Sequence, residues 1–329
     1  MADAEYVYAR EVSIGVILLN WNGFDDTAAA LGSLWETSPR PSYVIVVDNG
    51  SHDRSLPRLR EWADATGIDA VSYGLHSTPP ATITPEAHPW LVFIDAERNL
   101  GFAAGNNVGL DHLARHTQAT HFLLLNNDTL VANDYFARLQ DAVRNAGAPA
   151  LLGSAIYHEP DRDRVWYAGG REIPYRALVL HRYDVPNDDR LQPTTFVTGC
   201  AMLIAREIYE ELGGLAECYT PIYWEDTDYS RRAVDTGHFV AWAPAARVYH
   251  KVGSSVGGER ITPQVAYWQN RHRGYYVRRN YRGLDRWMAL TYLYATKPAR
   301  SIVELLRGRP AMARAIARGF AHGVWGVIP

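Results

Sequence analysis

Cysteine is nearly missing from this chain: Cys200 and Cys218 are the two in 329 residues. A disulfide framework is thereby excluded, and a reducing compartment fits. No apolar run approaches the roughly 20 residues needed to span a bilayer. The first residues, MADAEYVYARE, are acidic and lack an apolar signal core, so secretion is not expected and a cytoplasmic location is. No G-x-G-x-x-G follows the first apolar run, which argues against a nicotinamide-dinucleotide site. No internal repeat is visible. What remains is ordinary for a folded protein, with 47% hydrophobic and 21% charged residues. At about 150 residues per domain, the length suits one large or two modest domains.

Positive charge is scarce in the body and concentrated at the end. From Arg271 onward there are 12 Lys and Arg against 2 Asp and Glu, leaving 21 against 34 of the totals of 33 and 36. The acidic body makes nucleic-acid binding unfavourable. The basic, aromatic C-terminal stretch suits a surface contact.

Val12–Leu19 is almost continuously apolar, as expected of a strand buried on both faces of a parallel sheet. Asp25 or Asp26 is placed to cap a helix through Ala28–Trp35. Tyr43–Val47, Trp90–Asp95 and His121–Leu125 read as further strands. Helices are expected over Ser55–Ala65, Gly101–Arg115 and Ala132–Asn145. The alternation predicts an α/β fold with helices on both faces of a sheet. Three strands end in polar clusters: Asn20/Asn22, Asp48/Asn49 and Asn126/Asp128. Ligands of such sheets bind at the carboxyl ends of the strands. Four prolines between Ser77 and Pro89 mark a surface loop. Past Leu151, short strands (Phe196–Ala205, Phe239–Trp242) alternate with short helices. Trp, Leu and Arg recur at helical spacing after Asp285.

Four segments carry candidate chemistry, each with a plain structural alternative. Asn126-Asn127-Asp128 at a strand end can hold a hard cation through oxygen, or simply form a turn. Glu225, Asp226 and Asp228 precede a helix containing Arg231 and Arg232. They are placed either to serve as a general base or to favour the helix N-terminus electrostatically. His250 ends an apolar run before Gly253-Ser254-Ser255, as a structural imidazole or a cation ligand. Asn99 to Asn107 opens a helix, where backbone N–H groups can meet phosphate or sugar oxygens or merely pack close to the sheet.

In order along the chain, VILLNWNG, VVDNGSHDRS, NLGFAAGNNVG, LLLNNDTLV, WYAGG, FVTGCAMLIAR, YWEDTDYSRRA and HKVGSSVGG resemble family 2 inverting glycosyltransferases of the GT-A fold. The resemblance is strongest to their rhamnosyltransferase-like branch and covers roughly Val12–Asn280. It implies a mixed, mainly parallel sheet flanked by helices, with a Rossmann-like nucleotide-binding half. The division it implies is a glycosyltransferase domain over residues 1–270, with a nucleotide-sugar half to about 150, and a helical extension over 271–329.

The resemblance assigns Asn20, Asn22, Asp48, Asn49 and Ser51 to the nucleoside. Asn99, Gly101, Asn106 and Asn126 fall to the nucleotide-sugar pocket, and Arg271 to the diphosphate. Asp128 and His250 would hold a divalent cation, Mn²⁺ or Mg²⁺. Asp226, with Glu225 adjacent, would be the base. Asn126 departs from the family's D-x-D motif, which places more of the cation on Asp128.

The implied donor is a nucleoside-diphosphate sugar, dTDP-L-rhamnose foremost, with UDP- or GDP-sugars open. The implied acceptor is a glycan, including one on a polyprenyl diphosphate. The C-terminal extension is expected to touch an anionic membrane surface as a peripheral element, or else to form a helical subdomain or homodimer interface. A nucleotidyltransferase is the rival enzyme, disfavoured because Asn20–Asp26 has no basic residue. A non-catalytic nucleotide-sugar-binding module is the other alternative.

Overall fold

The computed structural model describes residues 11–79, 90–251 and 261–329. The proline-rich loop and Gly253-Ser254-Ser255 fall largely or wholly outside these. Four parallel strands form the first half of the sheet: β1 (Ile14–Asn20), β2 (Tyr43–Asp48), β3 (Ala70–Gly74) and β4 (Leu91–Asp95). β5 (His121–Asn126) joins β1 in parallel on its other side. Beyond β5 the sheet turns mixed. β12 (Ala201–Ala205) runs antiparallel between β5 and β7 (Ala150–His158), and β13 (Phe239–His250) runs parallel to β7. Short strands β6 (Thr129–Val131), β8 (Val165–Tyr167) and β11 (Gln192–Pro193) complete it, and β9 (Gly170–Ile173) pairs with β10 (Leu178–His181) separately.

Period-two alternation within apolar runs explains the double cover. Val16 and Leu18 of β1 and Val44 and Val46 of β2 join one core. That core includes α1 (Phe24–Trp35), α2 (Ser55–Thr66) and α4 (Tyr135–Ala146). Ile17, Ile45 and Val47 face the other core, with α3 (Phe102–His116), α5 (Arg206–Leu212) and α6 (Glu225–Asp235). Each buried aliphatic side chain stabilises the fold by about 1.5–3 kcal/mol before entropy is counted. A one-residue slip of register would exchange the two faces.

Glycine lets α3 approach β1. A Cβ at Gly105 would fall 2.5 Å from Leu19, and one at Gly109 would fall 2.5 Å from Ile17. The helix start after Asn99 is therefore fixed close above the strand ends.

Several local expectations need correction. Gly23 occupies the cap of α1, while Asp25 and Asp26 lie in its first turn. They act on the helix dipole, and Asp26 also pairs with Lys251 at 2.6 Å. The expected strand from Phe196 begins only at Ala201; residues 196–200 turn aside into the cleft described below. Phe239–Trp242 and the run ending at His250 are one strand. Its register shifts between Ala243 and Arg247, around Pro244, which cannot donate to the ladder. Edge strand β3 had no clear signal, because each of its five residues is only half-buried.

Three helices close the chain: α7 (Pro263–Asn280), α8 (Gly283–Leu306) and α9 (Pro310–Trp325). α7 runs through residues 270 and 271 without a break. Its contact with α9 is backbone-close: a Cβ at Gly274 would lie 2.5 Å from Gly323, and one at Gly323 would lie 2.5 Å from the Arg271 carbonyl. Tyr275, Tyr276, Leu293 and Phe320 bury a third core with Tyr219 of the body. Trp287, Met288, Leu305, Leu306 and Trp325 stay exposed. No described helix is long and apolar enough to cross a membrane.

Candidate active site

A cleft of about 1120 Å³ opens at the carboxyl ends of β1 and β5. From the expected set it gathers Asn49, Asn99, Gly101, Asn106, Asn126, Asp128, Glu225, Asp226 and His250. Asn20, Asn22, Asp48, Ser51 and Arg271 are not among its lining residues.

Asn20, Asp48 and Ser51 form a network behind the lining. Asn20 Nδ2 donates to Asp48 Oδ1 at 2.6 Å and to Ser51 Oγ at 3.1 Å, while Thr27 Oγ1 donates to Asn20 Oδ1 at 2.7 Å. Ser51 N–H and hydroxyl both donate to Asp48. Asn22 ties the two strand-end loops together, donating its N–H to Ser51 Oγ and accepting from His52 N–H. Asn49 Oδ1 accepts from Leu100 N–H at 2.9 Å, and its Nδ2 donates toward Asn99 and the Gly101 carbonyl. Gly101, at φ +84°, sits where a side chain would press on the Pro221 carbonyl, 3.0 Å from an added Cβ. Arg271 lies over the Trp268 and Tyr275 rings and donates to the Thr220 carbonyl.

At the end of β13, His250 Nε2 lies 3.1 Å from Asp128 Oδ1, both residues buried. The pairing of β13 with β6 sets this contact, since His250 is opposite Thr129. Burial alone would lower the imidazole. The adjacent Cys200 and the Asp128 carboxylate outweigh it and push His250 up to about 10. Its Nδ1 is buried and lacks a hydrogen-bond partner among the described residues. A buried oxygen donor beside a buried nitrogen donor fits a divalent cation, which would take the place of the proton. No cluster of three or more His, Cys, Asp or Glu side chains suited to an ion occurs among the described residues.

The acidic turn before α6 splits into unlike groups. Asp228 is fully buried and satisfied: Arg232 at 2.9 Å, Arg279 at 3.2 Å, Tyr219 at 3.0 Å and Asn280 at 2.9 Å surround it. Asp226 lines the cleft. Its oxygens accept from Gly199 N–H at 3.1 Å and Thr227 N–H at 2.7 Å. Burial raises its pKa, and these N–H groups only partly offset that. Glu225 is raised well above the carboxylate range, first by burial and then by the Asp226 charge, and its Oε2 is buried with no hydrogen-bond partner among the described residues.

The preceding residues, Tyr223 and Trp224, have φ of 81° and 82°. Two consecutive left-handed side-chain-bearing residues are costly, about 1–3 kcal/mol each. Part of what holds them is His272 of α7, whose Nδ1 lies 3.0 Å from the Ile222 carbonyl and 3.2 Å from that of Tyr223. Burial lowers His272 to about 4, so its ring is neutral at pH 7 and Nδ1–H donates.

Other residues lining the cleft carried no sequence signal. His181 of β10 packs among Trp166, Tyr167 and Phe196, lowered by burial against the pull of Asp226. Trp268, Arg273 and Lys297 enter from α7 and α8. Nothing in their local spacing shows that these helices fold back over the sheet edge.

A cleft at the carboxyl edge of a mixed sheet, with a buried carboxylate of raised pKa and a buried Asp–His pair, marks the ligand-binding and candidate catalytic site of an α/β enzyme. The comparisons sharpen this. The model described as glycosyltransferase-like family 2 matches residues 86–276, more than half the chain, and this protein belongs to that family. It is a glycosyltransferase.

The chain is 23% identical over 272 residues to the N-acetylglucosaminyl-diphospho-decaprenol L-rhamnosyltransferase of Mycobacterium tuberculosis, covering 75% of this chain and 77% of that one. It is 20% identical over 227 residues to the low-salt glycan biosynthesis hexosyltransferase Agl10 of Haloferax volcanii, covering 67% of this chain and 61% of that relative. Among solved structures, the mannosyltransferase PcManGT of Pyrobaculum calidifontis, complexed with GDP-Man and Mn²⁺, aligns at a TM-score of 0.55. The identity is 15%, and the alignment covers 97% of this chain and 88% of that one. GalNAc-T7, with UDP, GalNAc and Mn²⁺, aligns at 0.56 and 15% identity, covering 74% and 44%. The fold is GT-A, as the ordered motifs implied.

Proposed function

We propose that this enzyme transfers a sugar with inversion from a nucleoside-diphosphate donor to a lipid-linked glycan, with rhamnose from dTDP-L-rhamnose the foremost donor. The observation that carries the reading is the convergence of Asp128, His250 and Asp226 on one cleft. Asn49, Asn99 and Asn106 offer amides to the donor from the nucleotide half. The buried Asn20–Asp48–Ser51 network fixes the loops that present them. Asp128 and His250 hold Mn²⁺ or Mg²⁺, which when bound neutralises charge on the departing diphosphate.

Asp226 takes the proton of the acceptor hydroxyl as that oxygen attacks the anomeric carbon from the face opposite the diphosphate. The Gly199 and Thr227 N–H groups hold the carboxylate in place. Glu225, buried behind it and favouring its neutral form, keeps a second negative charge away from Asp226. Asp228 is the pillar that fixes the turn to α7. The family relative named for a diphospho-decaprenol substrate supports a lipid-linked acceptor and a role in surface polysaccharide synthesis.

In this reading residues 1–270 carry the reaction. The exposed face of α8 rests on the inner surface of the plasma membrane, flanked by Arg286, Arg300, Arg307 and Arg309. Turnover of dTDP-rhamnose, UDP-glucose and GDP-mannose with Mn²⁺, Mg²⁺ or EDTA tests the donor and the metal together. Product formation undiminished after rigorous metal removal would refute the cation role. Absence of transfer from every nucleotide sugar to a diphospholipid glycan would refute the reaction.

A further inference from the structure

The C-terminal helices bring two cations to the cleft that the donor reaction does not use. Arg273 of α7 and Lys297 of α8 both line it. Neither pairs with a carboxylate among the described residues, and Glu304 of α8 and Glu172 of β9 are engaged by other groups. Glu304 is held by Arg300, Arg307 and Arg309, and Glu172 by Arg231, Tyr276 and Tyr281.

The Arg273 guanidinium is oriented. It donates to the Arg176 carbonyl at 2.5 Å and faces the Tyr292 ring at 6.0 Å, yet its Nε is buried with no hydrogen-bond partner among the described residues. Lys297 makes no hydrogen bond or ion pair among the described residues. Burial, with Arg273 and Arg300 nearby, pushes its ammonium down to about 7. An unpaired, partly desolvated cation pair is unfavourable unless an anion completes it.

The opposite side of α8 is apolar and exposed. Leu284, Trp287, Met288, Thr291, Ala295, Pro298, Ile302, Leu305 and Leu306 share one exposed face of the helix with no charge among them. Lys297 lies about 130° around the helix from the middle of that face, on the side turned to the cleft.

We infer that Arg273 and Lys297 form a diphosphate subsite for the acceptor, distinct in its residues from the Asp128–His250 pair, so that a polyprenyl diphosphate is held by its charged head in the cleft. The inference rests on the lipid-linked acceptor proposed above. It makes the diphosphate, rather than the acceptor sugar alone, the recognised group. Arg is suited to such oxyanions through its planar fork, and Lys as a point charge.

The test is binding in EDTA, which needs neither metal nor turnover. The probes are farnesyl diphosphate, farnesol and UDP, and the proteins are wild type, Lys297→Met and Arg273→Gln/Lys297→Met. Lys297→Met removes no hydrogen bond, so its fold is expected to survive, as a melting curve will show. Wild type is expected to hold farnesyl diphosphate at least about tenfold more tightly than farnesol. Lys297→Met is expected to weaken that affinity about tenfold, the weight of one charge-assisted contact, and the double variant more. UDP affinity should change less than about twofold on the same scale.

Equal affinity for farnesyl diphosphate and farnesol, or an unchanged Lys297→Met, would overturn the subsite. Parallel loss of UDP would reassign the cations to the donor. These outcomes are read without glycosyl transfer, so they stand apart from failure of the proposed reaction.

Discussion

The polar edge at β1 and β2 and the acidic turn before α6 border the same cleft, yet their chemistry is opposite. At the strand edge, Asn20, Asp48 and Ser51 satisfy one another through side-chain hydrogen bonds. At the turn, Glu225 has a buried oxygen with no hydrogen-bond partner among the described residues, and Asp226 accepts only from two backbone N–H groups and the Thr227 hydroxyl. The first arrangement is a rigid template that gives shape. The second retains basicity, because no Lys or Arg among the described residues pairs with Asp226 and burial outweighs the pull of His181. Asp228, two residues further on, shows what quenching looks like: two guanidinium groups, a phenol and an amide.

The widest separation should come from substitutions within that turn. Asp226→Asn keeps the shape and removes the base, so kcat should fall about 10²–10⁴-fold with little change in melting temperature. Asp228→Asn should do the reverse in kind. It leaves Arg232 and Arg279 unpaired and should cost about 3–5 kcal/mol of stability, read by urea denaturation. Equal losses of activity and stability in both variants would erase the distinction.

The pH profile sharpens the same contrast. Because burial raises the Asp226 pKa, the base is protonated over a higher pH range than an ordinary carboxylate. kcat should therefore decline as pH falls, beginning above the usual carboxylate range, and Asp226→Asn should flatten that limb. At the strand edge, Asn20→Ala leaves Asp48 and Thr27 short of partners. It should cost about 1–3 kcal/mol in stability and raise the donor KM. The smallest effect on the fold is expected at the far surface. Trp287→Ser with Leu306→Ser, at positions 73% and 82% exposed, should leave the melting temperature nearly unchanged. Flotation with anionic liposomes should fall in the same variant, and undiminished flotation would remove α8 from the membrane contact.

The parts legible in the sequence are those made locally. Apolar runs such as Val44–Val47 declare strands buried on both faces, and their polar ends, Asp48-Asn49 and Asn126–Asp128, declare the binding edge. The order of motifs carried the family. Less legible was whatever depends on long-range register or return of the chain. Residues 196–200 have strand composition, but they bend so that Gly199 N–H can meet Asp226, 27 residues away. The three carboxylates of the turn look equivalent in sequence. They are told apart by Arg279 and Asn280, which arrive from α7 some fifty residues later. The C-terminal stretch signalled both burial and exposure, and both occur: Leu293 and Phe320 enter the core while Trp287 and Leu306 face outward. Composition gives the inventory of a helix but not its rotation about the axis.

The unbroken course of α7 has a mechanical consequence. One rod carries His272, which grips the carbonyls ahead of the reactive carboxylates, and Asn280, which grips the aspartate behind them. Through Gly274 that rod is seated directly on α9, with no side chain between to absorb a shift. The last helix is therefore a clamp on the reaction centre rather than an appendage. Trimming the chain from its C-terminal end would loosen the reactive turn before it removed any group that touches a sugar.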